Sequence, residues 1–155
     1  MSIRILFVCL GNICRSPLAE AALRAEAERL GIDIETDSAG TGDWHVGHPP
    51  DPRARAAARR HGVDIDHLRA RRVKPADFHL FDHVVALDEA NLRELRRMRP
   101  VDARAELSLL LDHVEGREGE PVVDPYHGDD SHFDNTWADV AAGARALAAK
   151  LARQG

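Results

Sequence analysis

Cysteine is nearly absent from this chain of 155 residues, which carries only two, Cys9 and Cys14. Two thiols cannot build a disulfide scaffold or a four-thiolate zinc site, and a bridge across so short a separation closes too small a loop to stabilise a fold. Long apolar runs are missing as well. Ile5 to Leu10 is the longest near the start, far below the ~20 residues of a membrane span, and no charged segment leads into a cleavable hydrophobic one. Positive charge is not in excess, since 26 acidic residues stand against 21 basic ones for a formal net charge of -5. No broad positive field draws nucleic acid or an anionic membrane, so the expectation is a soluble, cytoplasmic protein with neither as a partner. The one basic concentration, Arg53 to Arg72, is interrupted by Asp64 and Asp66 and reads as a solvated helix face and turn.

What is present is an alternation of short apolar runs with helical patterns. Residues 3 to 8 form a β-branched and aromatic run that reads as a strand buried on both faces. Ser16-Pro17 then signals a helix start, with Ser at the N-cap and Pro at the first helical position, and Ala19, Leu23, Ala27 and Leu30 recur at helical spacing up to Gly31. Further strands are read at 32–38, 81–87 and 107–111, and further helices at 52–61, 89–99 and 131–152, with a polar loop over 112–130. The pattern predicts an α/β fold: a four-stranded parallel sheet with helices on both faces, in a single domain over residues 1–155. In such a sheet the site lies beyond the carboxyl ends of the strands.

The loop after the first strand, Cys9-Leu10-Gly11-Asn12-Ile13-Cys14-Arg15-Ser16, has the composition of an oxyanion cradle. Gly11 and Asn12 permit a tight turn that points successive N–H groups inward, and the following helix adds its positive end. Arg15 supplies a planar fork for two phosphate oxygens. Cys9 would stand at the bottom, where the same groups favour a sulfur anion, and the Ser16 hydroxyl is close enough in sequence to donate to it. An ordinary buried cysteine at a strand end is the bland alternative. Cys-x5-Arg alone is a weak pattern, but its position between strand and helix makes it specific. The Gly-x4-Gly-Lys-Ser/Thr and Gly-x-Gly-x-x-Gly nucleotide patterns are both missing from this turn.

A phenolate leaving group, with a pKa near ~10, needs a proton donor. Asp124, in Val-Val-Asp-Pro-Tyr-His, is the best candidate, because Pro125 stiffens its loop and Tyr126 brings an aromatic wall. Asp129 and Asp130 are weaker ones. Only seven aromatic residues occur, so Trp44 and Tyr126, both in polar loops, mark a slot for a flat ring. Nine histidines invite a metal site, particularly at His45 and His48 or His127 and His132, but neither pair comes with the spacing and third ligand that zinc requires. No metal and no cofactor are expected.

With these residues in view, the chain resembles the low-molecular-weight protein tyrosine phosphatases over nearly its whole length. Four blocks carry the resemblance: Val8 to Pro17, Ser38-Ala39-Gly40-Thr41 with Trp44-His45, Leu87 to Leu92, and Asp124-Pro125-Tyr126. It implies hydrolysis of phosphotyrosine on protein substrates through a phosphocysteine, by a monomer. Cys9 is implied as nucleophile, Arg15 as phosphate clamp and Asp124 as acid and then base. Leu10, Gly11, Asn12, Ile13, Cys14 and Ser16 are implied to form the phosphate loop, with Trp44 and Tyr126 as pocket walls. The resemblance also implies a reversible Cys9–Cys14 disulfide that guards the nucleophile. Leu87 replaces the family's usual methionine, and His127 stands where many members have a second tyrosine. Arsenate reductases of similar fold need downstream cysteines that are missing here. Arginine phosphatases resemble the chain more closely but place threonine at the position of Ile13. A silent phosphotyrosine-binding module is the alternative from another class, and retention of nucleophile, clamp and acid together argues against it.

Overall fold

The structure, a computed structural model, describes residues 2–154. In chain order it contains β1 (Ile3–Cys9), α1 (Arg15–Leu30), β2 (Ile34–Gly40), α2 (Pro52–Arg60), α3 (Asp77–Leu80), β3 (His83–Ala86), α4 (Glu89–Met98), β4 (Glu106–Leu109) and α5 (Asp130–Gln154). The four strands are all parallel and lie in the order β2-β1-β3-β4. The chain runs outward from β1 to β2 and then crosses back to β3 on the other side. The order therefore reverses at the carboxyl end of β1, where an open parallel sheet offers its crevice.

Alternation along β1 divides the core in two. Ile5, Phe7 and Cys9 face a cluster built from α1, α2 and α5, including Leu18, Leu23, Phe133 and Leu147. Leu6 and Val8 face the opposite cluster, with Phe78, Phe81, Leu92 and Leu95 from α3, α4 and the segment leading into β3. All four central residues, Ile5 to Val8, are fully buried. A strand apolar on both sides must be covered on both sides, which is why helices flank the sheet on each face. Cys9 is the last residue of this strand, so its side chain is aimed by the same alternation that aims Phe7.

Several boundaries differ from the sequence expectation, β3 among them at His83–Ala86 instead of 81–87, and three have a visible physical cause. β2 begins at Ile34, because Gly31 adopts a left-handed conformation (φ 67°) and the Ile32 N–H turns back to the Ala27 carbonyl, closing α1. β4 ends at Leu109, where the Asp112 carboxylate accepts the Leu109 N–H and winds Leu110–His113 into a 3-10 turn. α1 starts one residue before Ser16, with Cys14 in the N-cap position and no side-chain cap. Ser16 is thus not the N-cap. Its hydroxyl is engaged by Cys9 and Asn12 instead, and Pro17 still fits because its missing N–H falls in the first turn. The short α3 has no apolar period to announce it, and it forms around buried Asp77, which accepts the Lys74 N–H and pairs with Arg71.

Candidate active site

The loop from Cys9 to Arg15 is held from below by backbone and from beside by one asparagine. Thr41 and Gly42 donate their N–H groups to the carbonyls of Cys9 and Leu10, at 2.9 Å each. Gly40 lies so close that a Cβ there would meet the Leu10 carbonyl oxygen at 2.8 Å. The left-handed residue of the turn is Asn12 (φ 58°), the only non-glycine residue with positive φ among those described. Gly11 is not left-handed. Its lack of a side chain instead admits the His45 ring, which a Cβ would meet at 3.0 Å.

Asn12 repays its unfavourable backbone with a full set of side-chain bonds. Oδ1 accepts the Arg71 N–H at 3.0 Å, which fixes the orientation of the amide, and Nδ2 donates to Ser16 Oγ at 2.8 Å and Ser38 Oγ at 3.0 Å. Ser38 Oγ donates in turn to Glu20 Oε1 at 2.8 Å, and Arg24 holds the other Glu20 oxygen. Because Ser16 Oγ accepts from Asn12, its own proton is left for Cys9 Sγ, 3.0 Å away. The Asn12 N–H reaches the same sulfur at 3.3 Å. Cys9 Sγ therefore receives two donors, an arrangement that stabilises negative charge on sulfur.

Arg15 is 3% exposed and is fixed by three groups from two segments, Asp88 after β3 and the loop that carries Val122 and Asp124. Nη1 donates to Asp88 Oδ2 at 2.6 Å and to the Val122 carbonyl at 3.1 Å, while Nη2 lies 3.7 Å from Asp124 Oδ2. Asp88 caps α4 with its other oxygen, and the Val122 N–H bonds the Leu87 carbonyl, so the end of β3 anchors both partners of Arg15. Asp124 is half-exposed and its Oδ1 accepts the Tyr126 N–H at 3.1 Å, a turn that sets the direction of the loop.

These side chains line a cavity of about 220 Å³. Cys9, Ile13, Cys14 and Arg15 belong to its buried part, and Leu10 and Asp124 line it as half-exposed residues. Trp44, His45, Tyr126 and His127 form further walls. Trp44 is 67% exposed and leans over Gly42, where a Cβ would collide with its ring. Tyr126 stands edge-on to His127, at 5.1 Å between ring centroids, and under the Arg53 guanidinium at 5.5 Å. Cys14 contributes differently from Cys9. Burial pushes its thiol well above the ordinary range, and the charges of Asp51, Cys9 and Asp124 push the same way.

Every residue read as a site residue from sequence thus meets at one crevice, except that Asn12 and Ser16 act from behind the loop rather than lining the cavity. Sequence reasoning missed Asp88, Ser38 and Glu20. Asp88 had a signal, since it directly follows a strand at the sheet's carboxyl edge and precedes a helix. Ser38 lies in one of the four blocks of the resemblance but with no role attached, and Glu20 had no signal, because the link from Asn12 through Ser38 to Glu20 exists only in three dimensions. His45 and His127 are cavity walls, and among the described residues no group of three or more His, Cys, Asp or Glu is placed to hold a metal ion. Nor is any described helix long and apolar enough to cross a membrane.

Comparison with known proteins agrees with this geometry. The sequence profile of the family described as "Low molecular weight phosphotyrosine protein phosphatase" matches residues 4–155. A low molecular weight phosphotyrosine protein phosphatase of Schizosaccharomyces pombe is 42% identical over 142 residues, covering 90% of each chain. The crystal structure of a protein tyrosine phosphatase from Entamoeba histolytica superposes with a TM-score of 0.93 at 32% identity, covering 99% of both chains. That of a Drosophila arginine phosphatase superposes with a TM-score of 0.90 at 30% identity, covering 96% of this chain and 98% of the other. On this evidence the chain belongs to the low molecular weight phosphotyrosine protein phosphatase family.

Proposed function

We propose that a single phosphatase domain over residues 1–155 removes phosphate from tyrosine on protein substrates, with Cys9 as nucleophile, Arg15 as phosphate clamp and Asp124 as acid and base. The observation that carries this reading is the convergence of the Cys9 sulfur, the Arg15 guanidinium and the Asp124 carboxylate on one cavity beside Trp44 and Tyr126. The phosphoryl oxygens take the N–H groups of the loop from Leu10 to Cys14 other than that of Asn12, which serves the sulfur, and the free edge of Arg15. Asp88 and the Val122 carbonyl hold the guanidinium, so little reorganisation is needed when charge builds on phosphorus.

The Cys9 thiolate attacks phosphorus in line with the departing oxygen, the S–P bond forms as the P–O bond to tyrosine breaks, and the Asp124 carboxylic acid gives its proton to the phenolic oxygen. In the second half the Asp124 carboxylate takes a proton from water as that water attacks the phosphocysteine. Inorganic phosphate leaves and the thiolate returns. The phenyl ring occupies the slot between Trp44 and Tyr126. Phosphoserine lacks that ring and reaches less deeply toward Cys9.

Phosphoarginine is the rival substrate because of the likeness to the Drosophila arginine phosphatase. The branched, apolar Ile13 and the aromatic Tyr126 at the cavity favour a tyrosine ring. Assay of matched phosphotyrosine, phosphoarginine and phosphoserine peptides tests this, and a preference for phosphoarginine contradicts it. We also place the enzyme in the cytoplasm, since a free thiol nucleophile survives in a reducing compartment, and read it as a monomer because one chain supplies Cys9, Arg15 and Asp124 to the cavity. There peroxide would convert the Cys9 thiolate to a sulfenic acid, and the Cys14 thiol would displace water from it to form a disulfide that a cellular thiol reduces. Loss of thiol-recoverable activity in Cys14→Ser after peroxide treatment is the expected result.

A further inference from the structure

Beside the active-site cavity lies a second groove of about 230 Å³ that shares Ile13, His45 and Tyr126 with it and continues to Pro50, Pro52 and Arg55. Prolines stiffen this wall, so the groove keeps its shape with little loss of conformational freedom on binding. Arg55, in α2, is the conspicuous side chain. Its Nε is buried and has no hydrogen-bond partner, and among the described residues no carboxylate lies within ion-pair distance of its guanidinium. The Asp51 carboxylate lines the same groove, but both of its oxygens are already bound by Arg53, at 3.0 Å from Nε and 2.9 Å from Nη2. The neighbouring arginines of α2, Arg53, Arg59 and Arg60, all have carboxylate partners. The buried Nε keeps the side chain packed against the wall, and a guanidinium that lines a groove without an ion-pair partner, next to a site for part of a larger substrate, is a binding group for an anion.

We propose that Arg55 and this groove form a recognition subsite for an acidic side chain, Asp or Glu, of the substrate protein itself, close in sequence to the phosphotyrosine. The inference rests on the phosphotyrosine reading above and adds to it a preference among substrates. The shared wall of Ile13, His45 and Tyr126 is what couples the two places: a peptide whose phosphotyrosine fills the first cavity must leave along a side, and this groove is the side that carries an arginine with no carboxylate in direct ion-pair contact, Asp51 acting on it only through space.

The test uses phosphotyrosine peptides that differ only in carrying Glu or Lys at one flanking position, scanned over the three positions on each side. For each enzyme the ratio of kcat/KM for the Glu peptide to that for the Lys peptide is measured, so an overall change in activity cancels. Wild type is expected to favour Glu by about fivefold at one or two positions, the size of a partly exposed charge-assisted contact, with the ratio shrinking as salt rises. Arg55→Gln brings the ratio at those positions toward one, Arg55→Lys retains part of it, and Arg55→Glu inverts it. Wild type that is indifferent to charge at every position, or an Arg55→Glu enzyme with an unchanged ratio, overturns the subsite. Wild type that hydrolyses neither these peptides nor p-nitrophenyl phosphate overturns the phosphatase reading itself. Hydrolysis of all of them without a charge preference overturns the subsite alone.

Discussion

Arg15 and Asp88 are joined by a 2.6 Å contact between Nη1 and Oδ2, and the same aspartate caps α4 by accepting the Asn91 N–H at 2.8 Å through Oδ1. One carboxylate thus sets both the phosphate clamp and a helix start, and the two roles separate by substitution. Serine can cap but cannot anchor a guanidinium; alanine can do neither. Asp88→Ser and Asp88→Ala are both expected to lower kcat/KM on the order of 10–100-fold, since a displaced clamp misplaces the phosphoryl group. In chemical denaturation Asp88→Ala is expected to be less stable than Asp88→Ser by about 1 kcal/mol. Full activity in Asp88→Ser would show that Arg15 holds its position without the pair.

Two glycines should lose stability alike but differ in activity when the same methyl is added. A Cβ at Gly40 meets the backbone oxygen of Leu10 at 2.8 Å and Asn12 at 3.3 Å, so the phosphate loop must move. A Cβ at Gly143 collides with the Leu110 side chain, between α5 and the turn after β4. Each substitution by alanine is expected to cost about 1–3 kcal/mol of stability through overpacking. Only Gly40→Ala should also reduce kcat, measured well below the melting transition of either variant. Equal kcat values for the two would show that the Gly40 contact does not position the loop.

The difference between these glycines also marks how far the sequence was legible. The strand at 3–8 and the helices that follow could be read because a doubly buried strand and an amphipathic helix impose periods of their own. The phosphate loop could be read because its residue types are dictated by the anion it holds. Gly40 and Gly143 look alike in sequence, since the atoms that crowd them come from other segments. For the same reason Asn12 could be read as a turn residue, but its span from Arg71 to Ser16 and Ser38 could not. Of the two roles that the sequence offers for Ser16, helix cap and donor to the Cys9 sulfur, only the second holds, because α1 starts at Arg15 with Cys14 in the N-cap position.

Acid stability should depend on His113. Burial beside the 3-10 turn lowers its pKa from the ordinary 6.5 to about 4, and the Lys150 charge acts in the same direction, while Asp112 opposes it. Its Nε2 lies 2.9 Å from Ser108 Oγ. The folded state therefore refuses a proton that the unfolded chain accepts below 6.5, so this contribution is fully present above that pH and is lost as the pH falls toward 4. Urea midpoints measured at pH 7 and pH 5 are expected to fall further for wild type than for His113→Gln. The same fall in both would remove His113 from the acid response.

The central claim is that Cys9 carries the phosphoryl group between two half-reactions in which Asp124 acts first as acid and then as base. p-Nitrophenol leaves readily without a proton donor, so in Asp124→Asn the first step proceeds with this substrate while the second lacks its base. Acid-quenched Asp124→Asn, digested and mapped by mass spectrometry during turnover of p-nitrophenyl phosphate, is predicted to carry phosphate on the Cys9 peptide and nowhere else. Phosphate on another residue, or continued turnover by Cys9→Ser with no covalent phosphate on the enzyme, would contradict the account.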